Sequence, residues 1–292
     1  MDGLIIKALS GFYYVETAEG VVECKARGKF RSINQSPFVG DRVEITLSGN
    51  KGMVDRIKDR KNLLNRPPVA NVDKLFIVSS SVTPTPNTLL IDRMTAICEY
   101  KSIKPVILFN KNDLEDVSKW CDIYSNAGFK TIACSAKSGE GIEEIKAELE
   151  GCISAFTGNS GAGKSSLLNI IFPNLSLSTG DVSDKLGRGR HTTRHTELFA
   201  HSFGGYVADT PGFSSLEADR DDLEFKERLS SLFIEFDLFS NACRFADCAH
   251  IGEKGCAVCE AVENGQIEPT RYESYRIIFE ELKDVKAWNI KK

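Results

Sequence analysis

The segment Gly158-Asn159-Ser160-Gly161-Ala162-Gly163-Lys164-Ser165 fits the pattern G-x-x-x-x-G-K-[ST], and Ser166 follows it directly. The chemistry of that pattern is the holding of phosphates. Glycines let backbone N–H groups converge on an anion. A following helix adds a favourable field at its N-terminus. Lys164 can reach the terminal phosphates, and the Ser165 hydroxyl can hold Mg²⁺. Downstream, Asp209-Thr210-Pro211-Gly212 offers a carboxylate that can hold Mg²⁺ through water and a Gly212 N–H that can meet a γ-phosphate.

Two further segments can read a base. In Asn110-Lys111-Asn112-Asp113, the Asp113 carboxylate can accept from the guanine N1–H and 2-amino group. Adenine lacks that pair of donors, so a buried Asp113 would reject it. The backbone of Ser135-Ala136-Lys137 can contact guanine O6. Together the segments specify GTP over ATP.

These residues need a sheet to carry them. Cys152–Thr157 reads as a buried strand before the phosphate loop and Lys164–Ile171 as a helix after it. Val106–Phe109 and Thr131–Cys134 are apolar strands ending at the base readers, and Gly205–Ala208 leads into Asp209. Val72–Val78 opens the region as a strand, while Leu89–Tyr100 and Gly141–Leu149 have helical spacing. Strands alternating with helices imply a mostly parallel α/β sheet over residues 69–222. The motif order is unusual, because the base readers precede the phosphate loop. The domain therefore reads as a circularly permuted P-loop GTPase.

A different chemistry lies beyond residue 223. Cys243, Cys248, His250 and Cys256 place three thiols and an imidazole within fourteen residues, a donor set suited to a closed tetrahedral Zn²⁺ site. Four protein ligands leave no open position for catalysis. Cys259 is a fifth thiol, and Ala257–Val262 around it reads as helix, which makes it a packed residue. Residues 223–292 are expected to form an α-helical zinc-binding domain.

Residues 1–66 carry five short alternating runs, at Leu4–Ile6, Tyr13–Val15, Val21–Cys24, Val43–Ile45 and Met53–Asp55. Turn residues separate them, as a small OB-fold β-barrel requires. Lys25 to Arg31 sets basic residues beside Phe30, either a solvated hairpin tip or a contact for RNA phosphates and bases. Pro67-Pro68 is read as a linker.

Composition sets outer limits. A chain of 292 residues is long enough for two or three domains, and 41% hydrophobic with 27% charged residues is ordinary globular usage. The net charge of −4 excludes a generally basic coat, so RNA contacts must come from local patches. The nine cysteines do not form a secreted framework; Cys24, Cys98, Cys121, Cys134 and Cys152 are expected as small packed residues. No run reaches membrane-spanning length and no signal pattern opens the chain, so a cytoplasmic protein without a membrane partner is expected.

The permuted motif order, the barrel before it and the Cys/His cluster after it resemble the small-subunit-dependent ribosomal GTPases of the RsgA or YjeQ family. The resemblance spans nearly the whole chain. It implies an OB-fold, a permuted GTPase domain and a zinc-finger domain, and a factor that hydrolyses GTP to GDP late in small-subunit maturation. Its partners would be GTP or GDP and the small ribosomal subunit with its rRNA, met as a monomer. It also implies that Thr193 binds Mg²⁺ in the first switch, with His191 as the candidate that positions water. A loop-facing His191 directed to RNA or solvent remains the alternative. Phe213 stands where Ras-like proteins carry a water-positioning Gln and has no polar atom for that role. Arg188, Arg190 and Arg194 flank His191 and suit phosphates.

Two readings from other classes compete. One is a GTP-dependent RNA-binding module with incidental hydrolysis, the other a metal-handling NTPase whose Cys/His cluster carries cargo.

Overall fold

The computed structural model describes residues 1–28, 30, 36–65, 68–173, 196–209 and 223–283, with backbone alone for Asn65 and Asp209. The first strands are β1 (Asp2–Leu9), β2 (Phe12–Thr17), β3 (Gly20–Ala26), β4 (Arg42–Ser48) and β5 (Lys51–Ile57). They pair in the order β1-β2-β3-β5-β4, and β4 closes back on β1. Only β3 and β5 run parallel. This is the five-stranded OB-type barrel that the alternation implies. Its interior is filled by Ile5, Val15, Cys24, Val43, Ile45 and Val54, all buried.

Pro68 is not in a linker. It begins β7 (Pro68–Ala70), which pairs with β6 (Leu63–Asn65) through Pro68 opposite Asn65. A proline can open a strand because its missing N–H is not needed there. Pro67 lies outside the described residues. The junction is packed: Val69 is fully buried, and Asn71 Nδ2 donates to the Gly40 carbonyl at 2.8 Å.

The central domain contains β8 (Lys74–Ser80), β9 (Lys104–Asn110), β10 (Lys130–Ala133), β11 (Cys152–Gly158), β12 (Glu197–Ala200) and β13 (Gly205–Asp209). Their spatial order is β10-β9-β8-β11-β13-β12, parallel except for β12. The strand that enters first, β8, thus lies in the middle beside the phosphate-loop strand β11, which is the permutation expressed as topology. β12 also pairs with β1 at Glu197 opposite Lys7, where the two side chains form an ion pair at 2.7 Å. Barrel and GTPase sheet therefore share one hydrogen-bonded ladder.

Alternate side chains of this sheet enter two cores. Phe76, Val78, Val106, Leu108 and Phe156 face α3 (Ile142–Leu149) and α4 (Lys164–Ile171). Leu75, Ile77, Ile107, Phe109 and Ile153 belong to the other core, which includes α1 (Thr88–Tyr100), α2 (Ser118–Asn126) and residues beyond 223. Period-two alternation is the physical reason one strand serves both. Among the cysteines expected to be packed, Cys24, Cys98 and Cys134 are fully buried, whereas Cys121 and Cys152 are only half-buried.

The C-terminal module begins with α5 (Leu223–Arg228) and continues through short 3₁₀ turns to α6 (Ala257–Glu263) and α7 (Pro269–Leu282). Arg271 of α7 fastens it to the GTPase domain. Its guanidinium donates to Asp92 of α1 at 2.7 Å and to both Glu235 carboxylate oxygens, with all three residues buried. The rings of Phe129, Phe233 and Tyr124 surround it.

Candidate functional site

Parallel strands end on the same edge of a sheet, and ligands gather outside that edge. Asn110 ends β9, Gly158 ends β11 and Asp209 ends β13, while Ser135 stands just past β10. The sheet thus brings together segments that lie far apart in sequence.

The phosphate loop is shaped by close approach. Gly158 has φ +144°, and a Cβ there would lie 2.1 Å from the Val78 carbonyl oxygen. Gly163 has φ +87°, and a Cβ there would lie 2.2 Å from Asn110 Nδ2. Larger residues would push the loop off β8 and off Asn110. Helix α4 starts after Gly163 without a side-chain cap, so its own side chains do not satisfy its first N–H groups. Ala162 is buried, Asn159, Lys164 and Ser165 are half-buried, and Ser160, Gly161 and Ser166 are exposed. Burial lowers the pKa of the Lys164 ammonium, which a nearby phosphate charge would oppose.

Asn110 acts between loops. It is buried; its Nδ2 donates to the Ala162 carbonyl at 2.9 Å and its Oδ1 accepts from the Ala136 N–H at 3.1 Å. Lys111 extends the tie, its Nζ donating to the carbonyls of Thr83 at 2.5 Å and Gly161 at 2.9 Å. Ser135 is fully buried; its hydroxyl donates to Asp113 at 2.6 Å and accepts from the N–H groups of Lys137 and Ser138, each at 3.1 Å. Lys137 is exposed at the end of that turn.

One expectation needs correcting. Asp113 is exposed at the rim, not buried. A carboxylate open to water discriminates less than a buried one, and the buried group beside it is Ser135. Asp209 is described by its backbone, which pairs with Glu197. His191, Thr193, Arg188, Arg190, Arg194, Thr210, Gly212 and Phe213 lie outside the described residues.

The metal-like cluster closes in space. Ligand atoms of Cys243, Cys248, His250 and Cys256 all lie within 4.8 Å of one another. His250 Nδ1 is 3.6 Å from Cys243 Sγ and 3.5 Å from Cys256 Sγ, and those two sulfurs are 4.0 Å apart. A tetrahedral Zn²⁺ with ordinary bond lengths separates two sulfurs by about 3.8 Å and sulfur from nitrogen by about 3.6 Å. The residues fit such an ion. Burial raises the Cys248 and Cys256 thiols and lowers the His250 imidazole, so a cation is what would favour the thiolates. Glu253 shapes the knuckle by accepting from the N–H groups of Ala249 at 2.9 Å and Ile251 at 2.8 Å.

Two functional-looking contacts have no simple sequence signal. Thr83 supports Lys111 through a carbonyl, which any residue could offer. Arg271, Asp92 and Glu235 meet from three distant segments with no local spacing to mark them.

Comparison with known proteins agrees with this architecture. Residues 57–219 match the family model described as RsgA GTPase, and residues 2–54 match the RsgA N-terminal domain. A protein of Caldanaerobacter subterraneus named Small ribosomal subunit biogenesis GTPase RsgA is 47% identical over 288 residues, covering 97% of this chain and 96% of that protein. A protein of the same name from a Geobacillus strain is 47% identical over 292 residues, covering 98% of each. The crystal structure of YjeQ from Thermotoga maritima superposes with a TM-score of 0.82 at 39% identity, covering 98% of this chain and 99% of that one. YloQ, a circularly permuted GTPase, gives 0.81 at 37% identity, covering 98% and 96%. With barrel, permuted sheet and motif loops all matched along its length, the chain belongs to the RsgA GTPase family.

Proposed function

We propose that this chain hydrolyses GTP to GDP as a checkpoint in late maturation of the small ribosomal subunit, in the cytoplasm and as a monomer. The observation that carries the reading is the tie made by Asn110 between phosphate loop and base-reading loop, in a chain alike over its length to proteins named for small-subunit biogenesis. Among the described residues no helix is long and apolar enough to cross a membrane, consistent with this setting.

In this reading Gly158 to Ser166 cradle the phosphates, Asn110 and Lys111 hold that cradle against the base site, and Asp113 with the Ser135–Lys137 backbone reads guanine. Mg²⁺ would neutralise phosphate charge, with Ser165, Thr193 and Asp209 as its candidate ligands. His191 is the candidate for positioning the attacking water. Zn²⁺ is the candidate ion for Cys243, Cys248, His250 and Cys256, in a structural role that leaves no open position.

The small subunit would act on the first switch. Phosphates of rRNA would order Arg188 to Arg194 and bring His191 and Thr193 to the γ-phosphate, a contact weakened by salt. The test is GTP turnover with purified small subunits, large subunits and neither. Turnover stimulated by small subunits alone supports the reading; equal turnover in all three points to incidental hydrolysis. His191→Ala is expected to lose most of the stimulated turnover while keeping GTP affinity. Full stimulation in that variant would assign water positioning to another group.

A further inference from the structure

Cys259 is the thiol beside the metal cluster that the four-ligand site does not use. It stands three residues after Cys256 in the run Cys256-Ala257-Val258-Cys259. Cys256 is the N-cap of α6, and its sulfur accepts from the Cys259 N–H at 3.4 Å. One helical turn sets Cα atoms about 5 Å apart, inside the roughly 4.4–6.8 Å window that a disulfide spans. To bond, the Cys256 sulfur would leave His250 Nδ1 and the Cys259 sulfur would leave the Tyr272 hydroxyl.

The two thiols differ in access. Cys256 is 2% exposed and lies among the ligands, whereas Cys259 is half-buried, with its Sγ 3.2 Å from the Tyr272 hydroxyl. Cys243 and Cys248 are also half-buried, but as ligands their sulfur lone pairs would be engaged by the ion. A small oxidant therefore meets one uncommitted sulfur next to a committed one.

We propose that Cys256 and Cys259 form a redox pair through which a peroxide releases the bound metal, resting on the four-ligand reading of the preceding subsection. Cys259 sulfur attacks the peroxide O–O bond and becomes a sulfenic acid; the leaving oxygen departs as alcohol or water with the thiol proton. Cys256 thiolate then attacks the Cys259 sulfur. The S–S bond forms, the S–O bond breaks, and hydroxide leaves and takes up a proton as water. Two electrons pass from the two sulfurs to the peroxide. A disulfide sulfur is no longer a thiolate ligand, so Cys243, Cys248 and His250 alone would hold the ion, and more weakly. A thiol reductant reverses the bond and restores the site.

The experiment uses the full zinc-loaded chain and hydrogen peroxide. Zinc release is followed with a chromogenic chelator, and disulfides are mapped by mass after free thiols are alkylated. The expected result is a bond between Cys256 and Cys259 that appears together with released zinc, both reversed by reductant. Cys259→Ser is expected to hold the same zinc at the start and release it several-fold more slowly, while Cys121→Ser behaves as the unmodified chain. Release from Cys259→Ser at the unmodified rate overturns the proposal. So does zinc loss while Cys259 remains open to alkylation. A chain that takes up no zinc sinks the four-ligand reading and the release step together, whereas the disulfide is read by mass in either case.

Discussion

Asn110 and Ala162, 52 residues apart, are joined by a buried hydrogen bond of 2.9 Å from the Asn110 amide to the Ala162 carbonyl. The other end of the same amide accepts from Ala136 at 3.1 Å. One side chain therefore holds the phosphate loop and the base-reading loop in register, and its value lies in doing both at once.

Asn110→Ala removes both bonds and leaves two backbone groups without that partner. The Ala162 carbonyl, orphaned in a buried place, costs about 1–3 kcal/mol, while the Ala136 N–H is only partly buried and can turn to water, so GTP and GDP affinity should fall roughly ten- to a hundredfold. Titration calorimetry with each nucleotide measures it. Affinity unchanged in the variant would mean that the loops are held independently.

Asp113→Asn exchanges an acceptor for a donor facing the 2-amino position. Base preference should move from guanine toward xanthine, with GTP binding weakened by about 1–3 kcal/mol, the scale of hydrogen bonds to a charged group that is open to water on one side. Competition between GTP and XTP reads it directly. Because Asp113 is exposed and shares Ser135, Ser135→Ala should also weaken guanine selectivity, to a smaller degree.

Cys243→Ser, Cys248→Ser and Cys256→Ser should each lower bound zinc and loosen α6, whereas Cys259→Ser should retain one equivalent. Nucleotide affinity should persist in all four, because α4 and the phosphate loop pack in the core opposite the C-terminal module. Elemental analysis beside nucleotide titration separates the effects. Zinc lost from Cys259→Ser would redraw the ligand set.

Arg271→Met should be the costliest single change at the domain junction. It leaves the Asp92 and Glu235 carboxylates buried without their cation, a loss of about 3–5 kcal/mol at neutral pH. Asp92→Asn keeps an acceptor for the guanidinium, and Glu235 still balances its charge, so its cost should stay near about 1 kcal/mol. Burial pushes the Asp92 carboxyl up from 3.8 to about 6, against the pull of Arg271. Between those values the folded chain holds a proton that the unfolded chain has released. The contribution of this group is therefore complete below pH 3.8 and lost as pH rises through about 6. Without the pull of Arg271 the Asp92 carboxyl holds its proton to higher pH, so the Arg271→Met penalty should shrink as pH falls toward about 6 and level off below it. Amide exchange in α7 across denaturant and pH measures it, and a pH-independent penalty would contradict the charge account.

Local chemistry was legible in the chain because each motif is contiguous. The eight residues from Gly158 to Ser165 specify a turn and a helix start by their own backbone freedom, and Lys164–Ile171 forms the helix that the pattern implies. The barrel strands were legible for a related reason, since turn residues interrupt a period-two alternation that only half-buried strands satisfy. Motif order alone announced the permutation. Cys243 to Cys256 announced a metal knuckle because all four donors fall within one short loop.

What sequence could not decide are the relations between segments with no shared spacing. Pro68 reads as a break, yet it opens a strand, because a proline at a hairpin edge loses no needed hydrogen bond. Asp113 reads as a buried acceptor, yet it stands at the rim, because burial is a property of the assembled surface and not of a tetrapeptide. The joining of β1 to β12 and the meeting of Arg271 with Asp92 and Glu235 arise only when three domains fold against one another. Contact across 179 residues leaves no periodic trace in the chain. Local spacing therefore determined which groups could do the chemistry, and tertiary packing alone decided which of them are tied together, because burial and charge pairing depend on neighbours distant in sequence.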